Sequence, residues 1–373
     1  MLRHIAPFVL LGAVTTAQNT GATFDPNVDG YLEVPHSSQV VPRTGMTVEA
    51  WFTYDESTLP TGWRYPTILR QGIGAQGENV MLRVDADNVA QRELRWRIKT
   101  TSSATYDCNY LFTPGEFVNW THVAGTYDGT TLALYINGQL VTSTPTNGEA
   151  IRDVVDVLRI GKGSDVATPI EVWNGQLDEV RMWPFARSQE DIQQTMNMEL
   201  STIPGYVSTW NLNNDALDSS STQDATIGGS VTFTANALAL TPNLPVVDFG
   251  LPTGNSTPGC GSDLLLCPSG PSVQNYNDYR VVCTGTDPNA LTFWGFSLNA
   301  LAAPLPLLGI DVWIHPTNLI LIGNTSNGLG SSSINVPIPT GVGGFTFATQ
   351  CMVLDACGPQ GFTASDALVV VVQ

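Results

Sequence analysis

The segment Thr131-Leu-Ala-Leu-Tyr-Ile136, Asn137-Gly138, Gln139-Leu-Val-Thr-Ser143 constrains the fold of this chain more than any other. Asn and Gly both accept positive φ, which a two-residue type I′ turn requires at its two central positions, and that turn matches the twist of paired strands. An antiparallel hairpin is expected here, and the same logic extends along the chain. In residues 47–54, Val48, Ala50, Phe52 and Tyr54 alternate with Thr47, Glu49, Trp51 and Thr53. In residues 93–99, Leu94, Trp96 and Ile98 alternate with Arg95, Arg97 and Lys99. Period-two alternation marks a strand with one face in a core. The one convincing helix signal is Ser188 with Asp191 three residues on, a capping pattern ahead of residues 192–200. Many short strands separated by turns predict an all-β antiparallel sandwich.

Composition agrees and excludes several classes of partner. The 373 residues are 42% hydrophobic and 13% charged, with 35 Gly and 24 Pro, enough chain for two cores and too apolar for disorder. A net charge of −18 argues against nucleic acid and anionic membrane surfaces as partners. No apolar run approaches the ~20 residues of a membrane helix. Arg3 and His4 precede an apolar stretch over residues 5–14 and the small residues Thr15-Thr16-Ala17, the pattern of a secretion signal cleaved after Ala17. Beyond that, nearly all Arg and Glu lie between residue 24 and about residue 233, whereas residues 245–373 hold one basic residue, Arg280, no Glu and seven Asp. The expected division is a signal peptide (1–17), a first module (18–240), a linker (241–258) with the Gly/Pro/Ser/Thr-rich stretch Gly250–Gly259 read as a loop, and a smaller C-terminal β-sandwich with disulfides (259–373). Strands are expected there at residues 345–347 and 368–372. In an exported chain cysteines pair. Cys260 with Cys267 and Cys351 with Cys357 are close enough in sequence for local bridges, while Cys108 and Cys283 are left undecided. None of these spacings is CxxC, and the few histidines complete no zinc pattern.

Several motifs then occur in order: Phe24-Asp25…Asp29-Gly-Tyr-Leu-Glu-Val-Pro35, Met46-Thr-Val-Glu-Ala-Trp51, Trp120-Thr-His-Val-Ala124, Tyr127-Asp-Gly129, Leu134-Tyr-Ile-Asn-Gly138 and Gly175-Gln-Leu-Asp-Glu-Val-Arg-Met-Trp183. Together they resemble the laminin-G-like jelly rolls of the concanavalin A-like lectin/glucanase superfamily. Gly205-Tyr-Val-Ser-Thr-Trp-Asn-Leu212…Asp218-Ser-Ser220 is similar to the closing segment of such modules. The resemblance implies two curved sheets and an extracellular recognition or adhesion role, and fixes no ligand. It also implies a calcium site in which Asp178 acts with groups near the N-terminal strand, here Asp25, Asp29 and the Gly30 carbonyl, hard oxygen ligands of the kind calcium takes. The alternative is that these are turn and sheet-edge aspartates bonded to backbone amides. Gly259-Cys-Gly261, Asn335-Val-Pro-Ile-Pro339 and Gly361-Phe-Thr-Ala-Ser-Asp-Ala-Leu368 are similar to a C-terminal module recurrent in exported bacterial proteins, which implies no activity.

Catalysis is not expected. Retaining hydrolysis needs two carboxylates about 5–5.5 Å apart, and the glucanase branch places them as Glu-x-Asp-x-x-Glu on one strand face. That spacing is absent; Asp178 and Glu179 are adjacent and should face opposite sides, and Glu190-Asp191 open a helix. There is no Gly-x-Ser-x-Gly elbow, and His122, inside a strand motif, reads as a structural histidine. Glycan binding would use aromatic faces and polar groups. Trp63 and Tyr65, in one loop, and Tyr106 with Tyr110 are the candidate aromatics, whereas Trp51, Trp96, Trp120 and Trp183 read as core. Arg95 and Arg97, with Arg83 and Lys99, form a basic stripe able to take uronate or sulfate, if the strands at residues 80–84 and 94–98 are neighbours. The alternative is a salt-bridged, solvated sheet face. The expected function is secreted, non-catalytic binding of a glycan or cell-surface polymer, with calcium in a structural role. A structural or adhesive protein making contacts with extracellular proteins is the alternative, and a polysaccharide-acting enzyme is a third.

Overall fold

The computed structural model describes residues 19–373 except 42–43, 60–64, 75–76, 87–90, 166–170, 206, 237, 243–248 and 260–262. The region expected to be a signal peptide, together with Trp63 and Cys260, lies outside the described residues.

The chain is all-β, as the alternation implies. Residues 20–235 build two antiparallel sheets packed face to face. The eight-stranded sheet runs in the order Gln139–Pro145, Thr131–Ile136, Thr121–Tyr127, Met46–Phe52, Gly175–Trp183, Thr20–Phe24, Thr232–Ala235, with Ser208–Trp210 also paired to Gly175–Trp183. The seven-stranded sheet runs Thr226–Gly229, Gly30–Val34, Leu158–Ile160, Thr67–Gln71, Val80–Asp85, Arg92–Lys99, Thr105–Phe112. Between them lie Val48, Ala50, Phe52, Val80, Leu82, Val84, Leu94, Trp96, Ile98 and Leu177, the apolar half of each alternation. The packing is tight at Gly125, where an added Cβ would sit 2.5 Å from the Trp96 ring. The hairpin forms as expected, with Ile136 paired to Gln139 and φ of 48° at Asn137 and 70° at Gly138.

Two expectations shift. The capping box at Ser188 and Asp191 is present, but the helix, α1 (Gln189–Thr195), stops short of residue 200. Residues Met198–Glu199 instead form a short parallel pair with Thr241–Pro242. Helix α1 covers the outer side of the eight-stranded sheet, and so Thr47 and Glu49 are buried although their alternation reads as solvent-facing, while Trp51 is buried as expected. The Trp51 indole N–H donates to the Met196 carbonyl at 2.6 Å.

Residues 249–373 form a second set of sheets. Five strands run Leu251–Thr253, Phe362–Val371, Thr346–Leu354, Leu291–Ser297, Ile320–Thr325. Three run Leu265–Pro268, Arg280–Thr284, Ser331–Asn335, and Ala300–Leu307 pairs with Ile310–Ile314. The stretch read as a loop from Gly250 to Gly259 thus includes an edge strand paired to Phe362–Val371. The core here contains Leu264, Tyr279, Val281, Cys283, Trp294, Cys351 and Val370. A separate cluster joins Trp183, Phe185, Leu200, Ile203 and Val207 to Phe249, Cys267 and Val282, tying the two regions together.

Candidate functional site

The outer face of the seven-stranded sheet carries an extended array of paired charged side chains. Strands Val80–Asp85 and Arg92–Lys99 are neighbours, with Arg83 opposite Arg95 and Met81 opposite Arg97. Side chains that alternate out of the core therefore line one face. Like charges would repel across such pairs, so each cation has a carboxylate. Arg95 lies 3.1 Å from Asp85 and 2.7 Å from Glu93. Arg97 donates to both oxygens of Asp107, at 2.5 and 2.7 Å, and to Glu78 at 3.4 Å. Lys99 reaches Glu78 at 3.2 Å, and Arg83 lies within 3.7 Å of Glu171 and 3.6 Å of Asp85. Burial alone would raise Glu78, but a backbone hydrogen bond together with Arg70 and Lys99 holds its carboxyl down, to about 2. The guanidinium of Arg83 stacks on the Tyr65 ring at 4.3 Å, and that of Arg159 on the Tyr31 ring at 4.1 Å.

This arrangement is the salt-bridged alternative to the basic stripe. Arg95 and Arg97 are on one face, as expected, but their charge is spent on Asp85, Glu93, Asp107 and Glu78 and offers no net attraction for uronate or sulfate. Tyr65 stands at the edge of the array. Asp107 and Glu78 come from the next strand and from a loop, a pairing that the sequence of one strand does not reveal.

The expected metal set is not brought together. Asp25 accepts from the backbone and side-chain nitrogens of Asn27, both at 2.8 Å, as in an Asx turn. Asp29 binds Lys162 at 2.8 Å, and Gly30 is paired with Gly229 in the other sheet. Among the described residues no group of three or more His, Cys, Asp or Glu side chains converges as a metal site. Asp178 is buried elsewhere, with its Oδ2 accepting from Asn19 Nδ2 at 2.9 Å and Asn236 Nδ2 at 3.0 Å. Burial pushes its carboxyl up, to about 7, against those hydrogen bonds. Asn19 Oδ1 is buried with no partner, and Asn19 also approaches the Leu238 carbonyl at 3.4 Å. Carboxamide oxygens and nitrogens exchange places by a half turn, at Asn236 with loss of the bond its Oδ1 accepts from the Leu238 N–H at 2.9 Å, and so turned this cradle can offer Asp178 Oδ2, two amide oxygens and a backbone carbonyl to a hard cation. It fits calcium by donor chemistry, through partners other than Asp25, Asp29 and Gly30.

Asp178 and Glu179 do not face opposite sides. The pairing with Met46–Phe52 slips between Asp178 and Arg181, and Glu179 adopts φ of 49°. This bulge leaves Leu177 and Val180 in the core and turns both carboxylates to the other side. Neither reaches solvent, at 0% and 1% exposure. Glu179 binds Arg181 at 2.7 Å, and Arg187 donates to Glu49 at 2.5 Å and to the Ser269 carbonyl at 3.0 Å. His122 lies edge-on to Trp51 at 5.4 Å and 3.5 Å from Glu49; burial holds its pKa low, so it packs as a neutral ring in this network. Asp191 of the capping box accepts in addition from Tyr276 and Arg280, so the only basic residue of the C-terminal region is used at the junction.

The disulfide expectation is corrected as well. Cys267 and Cys351 are free thiols, and the local bridges to Cys260 and Cys357 are not formed. Cys267 is packed in the apolar junction against Gly205, where an added Cβ would sit 2.9 Å from its own. Cys351 points into the C-terminal core. Cys357 is disulfide-bonded. Cys108 and Cys283 are free and buried.

Residues 26–193 match a laminin G family model described as the concanavalin A-like lectin/glucanases superfamily. No curated protein matches the chain. Among solved structures, the chain is similar to a candidate carbohydrate binding protein from Bacteroides ovatus, at 17% identity and a TM-score of 0.46, covering 60% of this chain and 62% of that one. The chain thus spans about 62% of that protein's length. A native heptameric SAP-like pentraxin from Limulus polyphemus shares 14% identity over 61% of this chain and 99% of that one, with a TM-score of 0.42. The CBM40 of a Ruminococcus gnavus IT-sialidase shares 17% identity over 41% of this chain and 82% of that one, with a TM-score of 0.31. No residue role is carried over from them.

Proposed function

We propose that this chain is an exported, non-catalytic recognition protein whose jelly roll binds a neutral, hydroxyl-rich glycan on the outer face of the seven-stranded sheet. The observation that carries this reading is the array of Arg83, Arg95, Arg97 and Lys99 locked to Asp85, Glu93, Asp107 and Glu78 beside Tyr65. Each ion pair holds its partner in one geometry, so donors and acceptors are fixed before a ligand arrives. Guanidinium and carboxylate edges hydrogen-bond vicinal hydroxyls, and a tyrosine rim adds an apolar face for a sugar ring. Balanced charge favours uncharged sugars over uronates and sulfates. The superfamily match over residues 26–193 supports a recognition role without naming the ligand. Burial of Asp178 and Glu179 supports the non-catalytic reading, because a polymer cannot reach that adjacent carboxylate pair. In the same reading Asp178, Asn19, Asn236 and the Leu238 carbonyl hold a calcium ion. It would supply charge neutralisation and pin the N-terminal segment and residues 236–238 to the Gly175–Trp183 strand.

The test is residues 18–373 on an immobilised glycan array, with calcium and again with EDTA. Binding to neutral oligosaccharides is expected, and Tyr65→Ala with Arg83→Ala should weaken it by roughly tenfold or more, the worth of about 1.4 kcal/mol. A blank array from folded protein, or binding confined to acidic glycans, rejects the reading. A second reading, protein–protein adhesion, is favoured by one observation. The edge strand Ile320–Thr325 exposes Ile320, Leu321 and Ile322 with no charged residue, the kind of edge that adds another chain. Concentration-dependent association measured by sedimentation, lost in Leu321→Lys, would support it.

A further inference from the structure

Two buried thiols in the C-terminal region face each other across its core. Cys283 lies on Arg280–Thr284 and Cys351 on Thr346–Leu354, strands of two different sheets, and both are 0% exposed. Their neighbours show that the two sheets meet at this level. Ser332 is paired directly with Cys283, and Trp294 directly with Cys351. The Trp294 indole N–H donates to Ser332 Oγ at 3.1 Å, and Ser332 Oγ also lies 2.9 Å from Thr292 Oγ1. Directly paired residues share a face of their sheet, so a contact from Ser332 to Trp294 places Cys283 opposite Cys351. Both thiols belong to the same buried core cluster, and Cys283 is among the groups that raise the Cys351 thiol. Cys351 also sits where the pairing with Phe362–Val371 slips by one residue, a bulge that aims a side chain.

We propose that Cys283 and Cys351 are the two halves of an inter-sheet disulfide that forms as the C-terminal region folds in an oxidising compartment. The oxidant is an exchangeable disulfide. One thiolate of the pair attacks it, forming a mixed disulfide and expelling one thiolate of the oxidant. The second cysteine then attacks the mixed disulfide, releasing the oxidant as a dithiol or as two thiols. Two protons and two electrons leave the cysteine pair, and one S–S bond is gained for the one lost. The exchange has to precede closure of the core, because burial afterwards raises the Cys351 thiol well above its ordinary value and removes the thiolate that reacts. Once formed, the bond is screened from reductants by the same burial. This bridge is additional to the one at Cys357 and takes the place of the local pairing of Cys351 with Cys357.

The experiment is to refold the full chain from denaturant and reductant in a glutathione redox buffer. The product is then unfolded with excess alkylating reagent and no reductant, and its peptides are mapped by mass spectrometry. The expected result is a Cys283 peptide linked to a Cys351 peptide, with alkylation confined to Cys108 and Cys267. Alkylated Cys283 and Cys351, or a link from either to Cys357, overturns the proposal. Refolded Cys283→Ala/Cys351→Ala protein should unfold at a lower urea concentration than the oxidised parent and give the same midpoint as a parent sample blocked at both thiols. Equal midpoints for the oxidised parent and the double variant would show that no such bond constrains the chain. Because the mapping uses the parent protein, it decides between linked and unlinked thiols even if the variant fails to fold.

Discussion

Glu49 and Asp366 are both carboxylates withdrawn from water, one in each region, and they titrate in opposite directions. Burial would raise Glu49, but Arg187, His122 and Arg181 surround it and hold it down, to about 2. Among the described residues no cation lies beside Asp366, and burial pushes it up to about 7 against two backbone hydrogen bonds. The difference follows the composition of the chain. The jelly roll holds nearly all of the Arg, and Arg83, Arg95, Arg97, Arg159, Arg181 and Arg187 are each paired with a carboxylate inside or on its sheets, while the C-terminal region has only Arg280, and that is committed to the junction. Buried ion pairs seldom add net stability, because desolvation offsets the Coulombic gain, yet removing one partner is costly. The first region therefore adds buried charge geometry to its apolar core, whereas the second relies on apolar packing.

The largest effect that would sharpen this contrast is at Arg187. Arg187→Ala strips Glu49 of its nearest cation and leaves the Ser269 carbonyl and Thr195 Oγ1 without their donor. A loss of about 3–5 kcal/mol is expected in urea unfolding. Adding Glu49→Gln should recover a large part of that loss. If Arg187→Ala cost no more than a surface substitution, the network would not organise this region.

Next in size is the pH response, where the two carboxylates pull in opposite senses. Glu49 has its folded pKa below its unfolded one. Its stabilisation is complete above about pH 4.5 and disappears as pH falls toward 2. Asp366 has its folded pKa above its unfolded one. Its stabilisation is complete below about pH 4 and is lost as pH rises through about 7. Each effect is at most about 4 kcal/mol. Urea midpoints from pH 2 to 8 should show Glu49→Gln flattening the acid limb and Asp366→Asn flattening the limb between about pH 4 and 7. Superimposable profiles for the parent and both variants would remove the contrast.

Calcium comes third and concerns only the first region. At 100-fold excess over its Kd, calcium should stabilise the chain by about 2.7 kcal/mol. Asp178→Asn should abolish the shift, whereas Asp25→Asn and Asp29→Asn should leave it in place. An unchanged shift in Asp178→Asn would send the ion elsewhere.

Legibility in the sequence divides along the same line. Residues 93–99 are correctly readable as a strand because Leu94, Trp96 and Ile98 keep strict alternation, and the observed strand, Arg92–Lys99, differs by one residue. The capping box is readable because its chemistry is local. The fate of Arg95 and Arg97 is not, since their partners Asp107 and Glu78 become neighbours only through pairing and loop closure. Nor is the common orientation of Asp178 and Glu179, which depends on a bulge centred on a non-glycine residue at positive φ. Thr47 and Glu49 read as exposed because alternation reports polarity and says nothing of a helix lying over the outer face. Cys267 shows the limit of spacing as a guide: proximity to Cys260 in sequence does not matter once the side chain is packed into the junction.

The smallest effect tests the same distinction at the scale of a turn. The jelly-roll hairpin turns on Asn137-Gly138, and the C-terminal hairpin turns on Leu308-Gly309, with Leu307 paired to Ile310. Both first residues have positive φ, 48° at Asn137 and 53° at Leu308, and both glycines follow at 70° and 77°. These are the same turn with different local support. Asn tolerates the left-handed region, and here its Oδ1 also accepts from the His122 backbone N–H at 3.0 Å. Leucine has no such side-chain hydrogen bond, and it is 48% exposed, so little packing holds it there. This is why the first hairpin is visible in the sequence and the second is hidden. Leu308→Asn should therefore stabilise the C-terminal region by about 1 kcal/mol, and Asn137→Leu should destabilise the jelly roll by at least as much, because it also orphans the His122 amide. Thermal or urea unfolding of the two variants decides the matter. A neutral Leu308→Asn would mean that residues 300–314 hold their conformation through strand pairing alone, and that the second region does not depend on local turn chemistry even where the chain is strained.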